Sequence, residues 1–160
     1  MFPENPKLTT LEELENKCIK WREEGKRIVF GNGIFDILHV GHVRYLKAAK
    51  EEGDILIVGI NGDEAVRKLK GESRPILTAR ERALLVGAIR YVDYVFIHEG
   101  TDFKDPISRL KPHVHAKGTD YTPETVPERE AVKACGGEVK IVGDPKNHST
   151  SWVIKSLKGR

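Results

Sequence analysis

The chain has 160 residues, of which 32% are charged, and its formal net charge at neutral pH is +3. This length suits one domain with its own core, so we expect a single domain over residues 1–160. The two signs of charge are interspersed without a long basic tract, which argues against a nucleic-acid partner. The sequence contains neither an apolar run of about 20 residues nor a signal peptide, which predicts a cytoplasmic protein with no membrane partner.

Helical and strand patterns alternate along the chain, as is typical of α/β proteins. Thr10 can cap a first helix that reaches about residue 24. Strands are then expected at about 27–32, 54–60, 94–97, 114–116 and 138–142, and further helices at about 41–52, 62–69, from 79, at 104–110, at 127–134 and from 149. The sequence therefore predicts an α/β fold, a Rossmann-like, doubly wound, parallel five-stranded sheet with helices on both faces.

The helix that begins near residue 79 has a distinct start signal. Thr78 and Glu81 have the spacing of a capping box, in which each side chain accepts a hydrogen bond from the backbone of the other residue. The predicted core-facing residues of this helix are Leu84, Leu85, Ala88 and Ile89. Right-handed connections between parallel strands would bring the loops after all five strands to one edge of the sheet, where ligands bind in such folds.

A candidate phosphate site lies where the first strand gives way to the second helix. The turn at residues 31–33 is Gly-Asn-Gly, and Gly41 and His42 are expected in the first helical turn. Free backbone amides and the helix dipole favour an anion there, and Gly41 lets a ligand approach the backbone closely. His39 and His42, three residues apart, can both contact one phosphoryl group.

Other interpretations of these residues are weaker. Two histidines at this spacing could bind zinc, but no third ligand lies nearby at a recognisable spacing. A dinucleotide fingerprint fails because Asp36 stands where a glycine is required, and no Walker lysine follows a glycine-rich loop. Cys18 and Cys135 lack metal-ligand spacing and are expected to be reduced.

Several segments together carry a family resemblance. Residues 33–42 read Gly-x-Phe-Asp-x-x-His-x-Gly-His. Residues 61–63 read Asn-Gly-Asp, and residues 149–151 read Ser-Thr-Ser. With these three motifs, the chain resembles the small nucleotidyltransferases related to the cytidylyltransferases. Residues 67–75, 91–94 and 117–122 are most similar to the adenylyltransferase domain that makes ADP-heptose from heptose 1-phosphate. That domain is often fused to a ribokinase-type sugar kinase. The present sequence has no such kinase region, so we expect a stand-alone version here. Ile34 replaces the Cys or Thr frequent in the family, which matters little if only its backbone faces phosphate.

The residue chemistry and the resemblance together imply three groups of site residues. The predicted catalytic residues are His39, His42 and Lys70. The predicted nucleotide contacts are Gly33, Ile34, Phe35, Gly41, Lys117, Gly118, Asp120, Ser149, Thr150 and Ser151. The predicted substrate contacts are Asp36, Asn61, Asp63 and Arg82, with Arg80 as the alternative to Arg82. Structural interpretations stay open: a solvated charged loop for Lys70, a plain turn for residues 117–120 and an ordinary helix cap for residues 149–151.

The chemistry follows from the charge of a phosphomonoester. Its second pKa is about 6, so most of the phosphomonoester is a dianion at neutral pH. The dianion needs no general base to attack a nucleoside triphosphate. Catalysis is then electrostatic, with His39 and His42 contacting the α- and β-phosphate oxygens. No covalent enzyme intermediate is required. Mg²⁺ is expected to arrive with the triphosphate, although Asp36 could also orient a metal.

The leading hypothesis is a nucleotidyltransferase that transfers AMP from ATP to heptose 1-phosphate, giving ADP-heptose and pyrophosphate. A cytidylyltransferase acting on glycerol 3-phosphate or a related alcohol phosphate is the alternative, although that group usually has an Arg before the last Ser-Thr segment, where residues 146–148 are Lys, Asn and His. A non-catalytic nucleotide-sensing module is a third hypothesis. The expected partners are small-molecule substrates, and the resemblance implies a homo-oligomer such as a dimer. We expect His42→Ala to reduce turnover by orders of magnitude with little change in the melting temperature.

Overall fold

Five parallel strands form the central sheet of the structure, a computed structural model that describes residues 4–144 and 150–159. The strands are β1 (Ile28–Gly33), β2 (Ile55–Asn61), β3 (Tyr94–His98), β4 (Val114–Lys117) and β5 (Glu138–Ile141). Their order across the sheet is β3-β2-β1-β4-β5, and each neighbouring pair is parallel. The order reverses direction at β1, which leaves a crevice between the ends of β1 and β4.

Seven helices connect or follow the strands within the described residues. They are α1 (Leu11–Glu23), α2 (Val40–Glu51), α3 (Asp63–Lys70), α4 (Ala79–Gly87), α5 (Lys104–Leu110), α6 (Arg129–Ala134) and α7 (Thr150–Lys158). Every strand and helix lies within a few residues of its predicted position. None of the helices in residues 4–144 and 150–159 combines the length and apolar character that a membrane span requires.

Apolar side chains bury both faces of the sheet. On one face, Leu46 and Ala49 of α2 and Ala83 and Val86 of α4 pack against Val29, Leu56, Val58, Val95 and Val114. On the other face, Leu14 and Cys18 of α1, Ile107 and Leu110 of α5 and Val132 of α6 pack against Ile28, Phe30, Ile57 and Phe96. All seven residues of β2 are buried, as expected of a strand covered on both sides. The predicted Rossmann-like, doubly wound α/β fold is confirmed.

Local signals start and stop the helices where the sequence indicated. The Thr10 hydroxyl accepts the Glu13 amide at 3.2 Å and caps α1, and Gly25, with a φ of +75°, lies just beyond its end. Thr78 and Glu81 form the predicted reciprocal capping box at the start of α4.

The predicted buried face of α4 is wrong. The buried residues are Ala79, Arg82, Ala83, Val86 and Gly87, whereas Leu85 is 44% exposed and Ala88 is exposed. Leu84 and Ile89 are only partly buried. The helix is rotated from its expected orientation because the buried Arg82 side chain hydrogen-bonds to polar groups inside the protein. Residues one helical turn from Arg82 lie on the same face, so they are buried as well.

The edge of the sheet at β3 is paired with the N-terminal segment. The Val95 amide donates to the Lys7 carbonyl at 2.8 Å, and the Thr9 amide donates to the Val95 carbonyl at 3.0 Å. Leu8 and Val95 form a parallel bridge. Residues 7–9 therefore cover backbone groups that an edge strand would otherwise expose.

The two cysteines are both free thiols. Burial raises the pKa of Cys18 to about 12, with smaller opposing effects of Arg22 and Glu15. The Cys18 thiol is therefore protonated and unreactive at neutral pH, a packing residue as expected.

Candidate active site

A cavity of about 490 Å³ opens at the carboxyl ends of the strands. Residues after every strand line it: the β1–α2 loop, the end of α3, the β3–α5 loop, the segment after β4 and the residues after β5, together with the start of α7. This is the edge of the sheet at which the sequence predicts ligand binding. Parallel strands end there together, so one site can draw side chains from segments more than 100 residues apart.

His39 and His42 form a capping box at the start of α2. The Gly41 amide donates to His39 Nδ1 at 3.1 Å, and the His39 amide donates to His42 Nδ1 at 3.2 Å. A neutral imidazole that accepts at Nδ1 carries its proton on Nε2. Both residues line the cavity, and the backbone at the start of α2 occupies the Nδ1 atom of each ring.

Aromatic packing holds the two imidazoles in place. The ring centroids of His39 and His42 are 3.9 Å apart, and the Phe35 ring centroid is 5.3 Å from that of His42. Phe35 has a φ of +51°, in the left-handed region. A Cβ at Gly33 would lie 2.8 Å from Phe35 Cε2, so this turn requires glycine at position 33 to admit the ring.

Asp36 lines the cavity, but its carboxylate is occupied by protein groups. It accepts hydrogen bonds from the Ile76 and Leu77 amides, each at 2.9 Å, and from Arg74 Nε at 2.8 Å. Burial alone would raise the pKa of Asp36, but the Leu77 and Ile76 amides and the Arg74 guanidinium together hold it below its usual value. The carboxylate thus anchors the loop between α3 and α4, and the predicted contact of Asp36 with substrate or metal stays a prediction.

Arg82 and Asp63 do not line the cavity, contrary to the predicted substrate contact. Arg82 has no exposed surface, and its guanidinium donates to the carbonyls of Leu77, Ile34 and Asn61 and to Asp63 Oδ1, at 2.7 to 3.0 Å. These acceptors lie just after β1, at the end of β2, at the start of α3 and in the loop after α3, so Arg82 holds these segments together. The sequence could not reveal this, because an arginine near a helix start is usually on the surface.

The other predicted substrate contact, Asn61, and the predicted catalytic Lys70 do line the cavity. Asn61 ends β2, is 4% exposed and donates through Nδ2 to the Gly100 carbonyl at 3.2 Å. Lys70 is the exposed last residue of α3 and precedes Gly71, which has a φ of +98°. The structure therefore places a cation at the rim of the cavity on a helix end that glycine terminates.

The segment after β4 brings Lys117, Gly118 and Asp120 to the cavity, as the sequence predicts. Lys117 is 7% exposed, and its Nζ lies 4.3 Å from the centre of the Tyr121 ring. A Cβ at Gly118 would meet no atom within 4 Å, so this glycine borders open space. The Thr119 hydroxyl donates to the Asp144 carbonyl at 3.0 Å and joins this segment to the one after β5.

The start of α7 lies beside the loop that leads into α2. The Thr150 hydroxyl donates to the Ile37 carbonyl at 2.9 Å, and Thr150 and Ser151 both line the cavity. Ser149, also predicted to contact nucleotide, lies outside the described residues, as do the residues at 146–148. The N-termini of α2 and α7 therefore meet at one cavity, which favours an anionic ligand between them.

Sequence reasoning missed several residues of the cavity wall. Asn32, at the end of β1, has its Oδ1 atom 2.7 Å from His115 Nε2, and His115 has no exposed surface. Burial and the Lys117 charge lower the pKa of His115 to about 3, so this ring is neutral, Nε2 carries the proton, and Asn32 Oδ1 is the acceptor. Glu128 is buried at the start of α6. The position of Asn32 at the end of a predicted strand could have identified it as a site residue. Nothing in the sequence could have identified Glu128, because it lies among charged residues of the kind expected on the surface.

No group of three or more His, Cys, Asp or Glu side chains within residues 4–144 and 150–159 is arranged to hold a metal ion. The expectation that Mg²⁺ arrives on the triphosphate stays a prediction.

Relatives of known name match most of this chain. It is 48% identical over 139 residues to the bifunctional protein HldE of Pelobacter propionicus, covering 87% of this chain and 28% of that protein. It is 44% identical over 154 residues to the bifunctional protein HldE of Aliarcobacter butzleri, covering 96% of this chain and 32% of that protein. The chain thus spans about a third of the length of the curated relatives it matches.

Two solved structures have the same fold. The lipopolysaccharide core biosynthesis protein from Thermoplasma volcanium has a TM-score of 0.64 at 29% identity, over 78% of this chain and all of that one. The pantoate-beta-alanine ligase from Francisella tularensis, complexed with beta-gamma ATP and beta-alanine, has a TM-score of 0.61 over 90% of this chain and 68% of that one. Its identity is 13%, so this likeness shows the fold alone.

The family model described as cytidylyltransferase-like matches residues 30–158, from β1 to the end of α7. That range contains the two-histidine cap, the Asp36-anchored loop, the last four residues of β1 and all of β2 to β5. The chain belongs to the cytidylyltransferase-like family and is a nucleotidyltransferase.

Proposed function

We propose that this nucleotidyltransferase transfers AMP from ATP to heptose 1-phosphate, forming ADP-heptose and pyrophosphate. The observation that carries the proposal is the capping box of α2. It uses the Nδ1 atoms of His39 and His42 as backbone acceptors, so each neutral ring carries its proton on Nε2, and both residues line the cavity. Two imidazoles at a helix N-terminus suit the oxygens of a triphosphate.

The reaction is a displacement at phosphorus. An oxygen of the acceptor phosphate forms a bond to the α-phosphorus of ATP, and the bond from that phosphorus to the bridging β-oxygen breaks. Its electron pair leaves with pyrophosphate. Negative charge grows on the α-phosphate oxygens and on the leaving group, where a well-placed hydrogen-bond donor lowers the barrier by roughly 3 kcal/mol.

His39 and His42 are the proposed donors to the α- and β-phosphates. Lys70, at the exposed end of α3, is the proposed mobile cation, because its long side chain can reach over the cavity from the rim. Lys117 adds a second positive charge from the end of β4. Mg²⁺ that arrives with ATP would neutralise charge on the phosphate oxygens.

The choice of ATP and of a heptose phosphate is supported by resemblance. Residues 67–75 and 117–122 are most similar to the domain that makes ADP-heptose, and relatives at 40 to 48% identity have the name HldE. A structure at 29% identity is titled as a lipopolysaccharide core biosynthesis protein. The second candidate is a cytidylyltransferase acting on glycerol 3-phosphate or a related alcohol phosphate, which the description of the matching family favours.

Pyrophosphate release in the presence of Mg²⁺ tests both candidate functions. ATP, CTP, GTP and UTP are each combined with heptose 1-phosphate, glycerol 3-phosphate and phosphopantetheine. Release with ATP and heptose 1-phosphate alone is the expected result. Release with CTP and glycerol 3-phosphate instead would assign the second candidate. Nucleotide binding without release in any pair would contradict both assignments and favour a sensing module or another acceptor.

A further inference from the structure

Glu128 presents a buried carboxylate that the protein only half satisfies. The residue immediately precedes α6 and is 4% exposed. Its Oε1 accepts the Phe103 amide at 3.3 Å, whereas Oε2 is buried without a hydrogen-bond partner among the residues that the structure describes. Burying a carboxylate oxygen without a partner is unfavourable, and because Glu128 is one of the residues that line the cavity, its unpaired oxygen points to a ligand.

The position of Glu128 separates it from the phosphate-binding part of the cavity. It bonds to Phe103, which packs with Phe30 on the sheet face covered by α1, α5 and α6. Phe35, which packs against His42, belongs to the opposite face, with α2 and α4. Glu128 and the histidines therefore line one cavity from opposite sides of the sheet.

The neighbours of Glu128 in the cavity wall are also oxygen-rich. Thr101 and Asp102 line the cavity just before Phe103, in the β3–α5 loop. That loop follows the strand at one edge of the sheet, whereas the segment leading to α7 follows β5 at the other edge. An ATP whose phosphates lie between the N-termini of α2 and α7 would leave the side near β3 for the acceptor.

A carboxylate repels phosphate and accepts hydrogen bonds from neutral donors. We propose that Glu128 Oε2 accepts a hydrogen bond from a hydroxyl group of the acceptor, so that Glu128 selects sugar phosphates and other polyol phosphates over acceptors that lack this hydroxyl. This inference rests on the proposed function for the identity of the acceptor. The exocyclic amino group of a nucleotide base is the other neutral donor, and the experiment separates the two.

The test is the Glu128→Gln variant. Its side-chain oxygen can still accept the Phe103 amide, but an NH₂ donor replaces the acceptor at Oε2. We expect the KM and the Kd for heptose 1-phosphate to rise about 10- to 100-fold, since one hydrogen bond to a charged group is lost. The KM for ATP and kcat should stay within about threefold of the wild type. The matched control is Glu130→Gln, because the Glu130 side chain is 79% exposed and is not part of the cavity wall.

A second measurement starts from the wild-type protein, so that it can overturn the proposal even if the variant fails to fold. The binding of mannose 1-phosphate and of its monodeoxy analogues to the wild-type protein is measured by calorimetry without ATP. One analogue should bind about 10- to 100-fold more weakly than the parent, and Glu128→Gln should no longer discriminate between them. Equal binding of all analogues by the wild type would overturn the proposal.

Other outcomes are equally decisive. A raised KM for ATP with an unchanged Kd for the sugar phosphate would assign Glu128 to the base and overturn the proposal. A lower melting temperature with the same loss of affinity for both substrates would make Glu128 a structural residue. If the wild type releases no pyrophosphate yet the sugar-phosphate Kd values follow the expected pattern, the proposed function fails and the role of Glu128 stands. If the wild type binds no sugar phosphate, the role of Glu128 fails as well.

Discussion

At the scale of single residues, His39 and His42 each use one ring for two purposes. Nδ1 completes the cap of α2, and both residues line the cavity. The capping role and the proposed catalytic role of these side chains are thus coupled. A substitution that removes the ring would remove a helix cap along with the proposed phosphate donor.

This coupling changes the expectation for His42→Ala. We expect turnover to fall by orders of magnitude, and the free energy of unfolding to fall by about 1 kcal/mol because the His39 amide loses its acceptor. The sequence alone predicts almost no change in the melting temperature, since it does not reveal the cap. Pyrophosphate release and urea unfolding measure the two effects.

Thr78→Ala is the matched control for His42→Ala. It breaks the capping box of α4, and its side chain is not part of the cavity wall. It should also cost about 1 kcal/mol of stability while turnover stays near that of the wild type. Wild-type turnover in His42→Ala, or a similar loss of turnover in both variants, would contradict the catalytic role of His42.

His115 should make the protein sensitive to mild acid. The pKa of His115 is about 3 in the folded protein, chiefly because of burial and then because of Lys117, whereas the ordinary pKa of histidine is 6.5. The unfolded chain therefore takes up a proton first, and stability falls as the pH drops from about 6.5 towards 3. At pH 5 the loss from this residue is about 2 kcal/mol.

His115→Leu should flatten that dependence. The urea midpoint of the wild type should fall more steeply between pH 7 and pH 5 than that of the variant. The Leu side chain has nearly the volume of the imidazole and cannot be protonated, so packing on Phe30 is largely kept. Equal slopes in the two proteins would show that another group dominates this pH range.

At the scale of elements, the loop from α3 to α4 depends on one carboxylate. Asp36 binds the Ile76 and Leu77 amides and Arg74, so residues from two loops are held together. Asp36→Asn should lower the free energy of unfolding at pH 7 by about 2 kcal/mol. Hydrogen exchange at the Ile76 and Leu77 amides should become faster.

The stabilisation by Asp36 should also depend on pH. It comes from a group that is charged in the folded protein, whereas His115 is neutral there. The pKa of Asp36 is lowered in the folded protein, so its stabilisation is complete above about pH 4 and declines as the pH falls further. Asp144→Asn is the control, because Asp144 is 69% exposed and lies 3.8 Å from Arg44. It should change stability by less than about 0.5 kcal/mol. Equal effects of the two substitutions would contradict the anchoring role of Asp36.

At the scale of the whole molecule, the edge strand β3 pairs with residues 7–9, which local sequence patterns do not predict. The Thr9 amide donates to the Val95 carbonyl at 3.0 Å. Thr9→Pro removes this donor and should lower the free energy of unfolding by at least about 1 kcal/mol relative to Thr9→Ala. Both variants lose the hydroxyl contact with Glu13, so their difference isolates the backbone bond.

Unfolding in urea measures that difference, and light scattering on the same samples reports self-association at the exposed edge. Equal stability of the two Thr9 variants would contradict a contribution from the edge pairing. Light scattering of the wild type also tests the homo-oligomer that the family resemblance implies.

Local signals were enough to predict the elements of this protein and its principal motif. Apolar runs with a period of two or of 3.6, capping residues such as Thr10 and Thr78, and the Gly-Asn-Gly turn act over a few residues, so they can be read along the chain. They predicted the doubly wound sheet and brought His39, His42 and Lys117 to one edge. The family resemblance added the type of reaction.

The tertiary structure decided which charged residues face inward and what they do there. Arg82 and Asp36 were predicted to contact substrate, but partners up to 48 residues away bury the Arg82 guanidinium and hydrogen-bond the Asp36 carboxylate. Glu128 and His115 were not singled out, yet both are buried beside or in the cavity wall. The physical reason is that a charged or titratable group is buried only where partners from distant segments compensate its lost hydration, and those partners meet only in the folded chain.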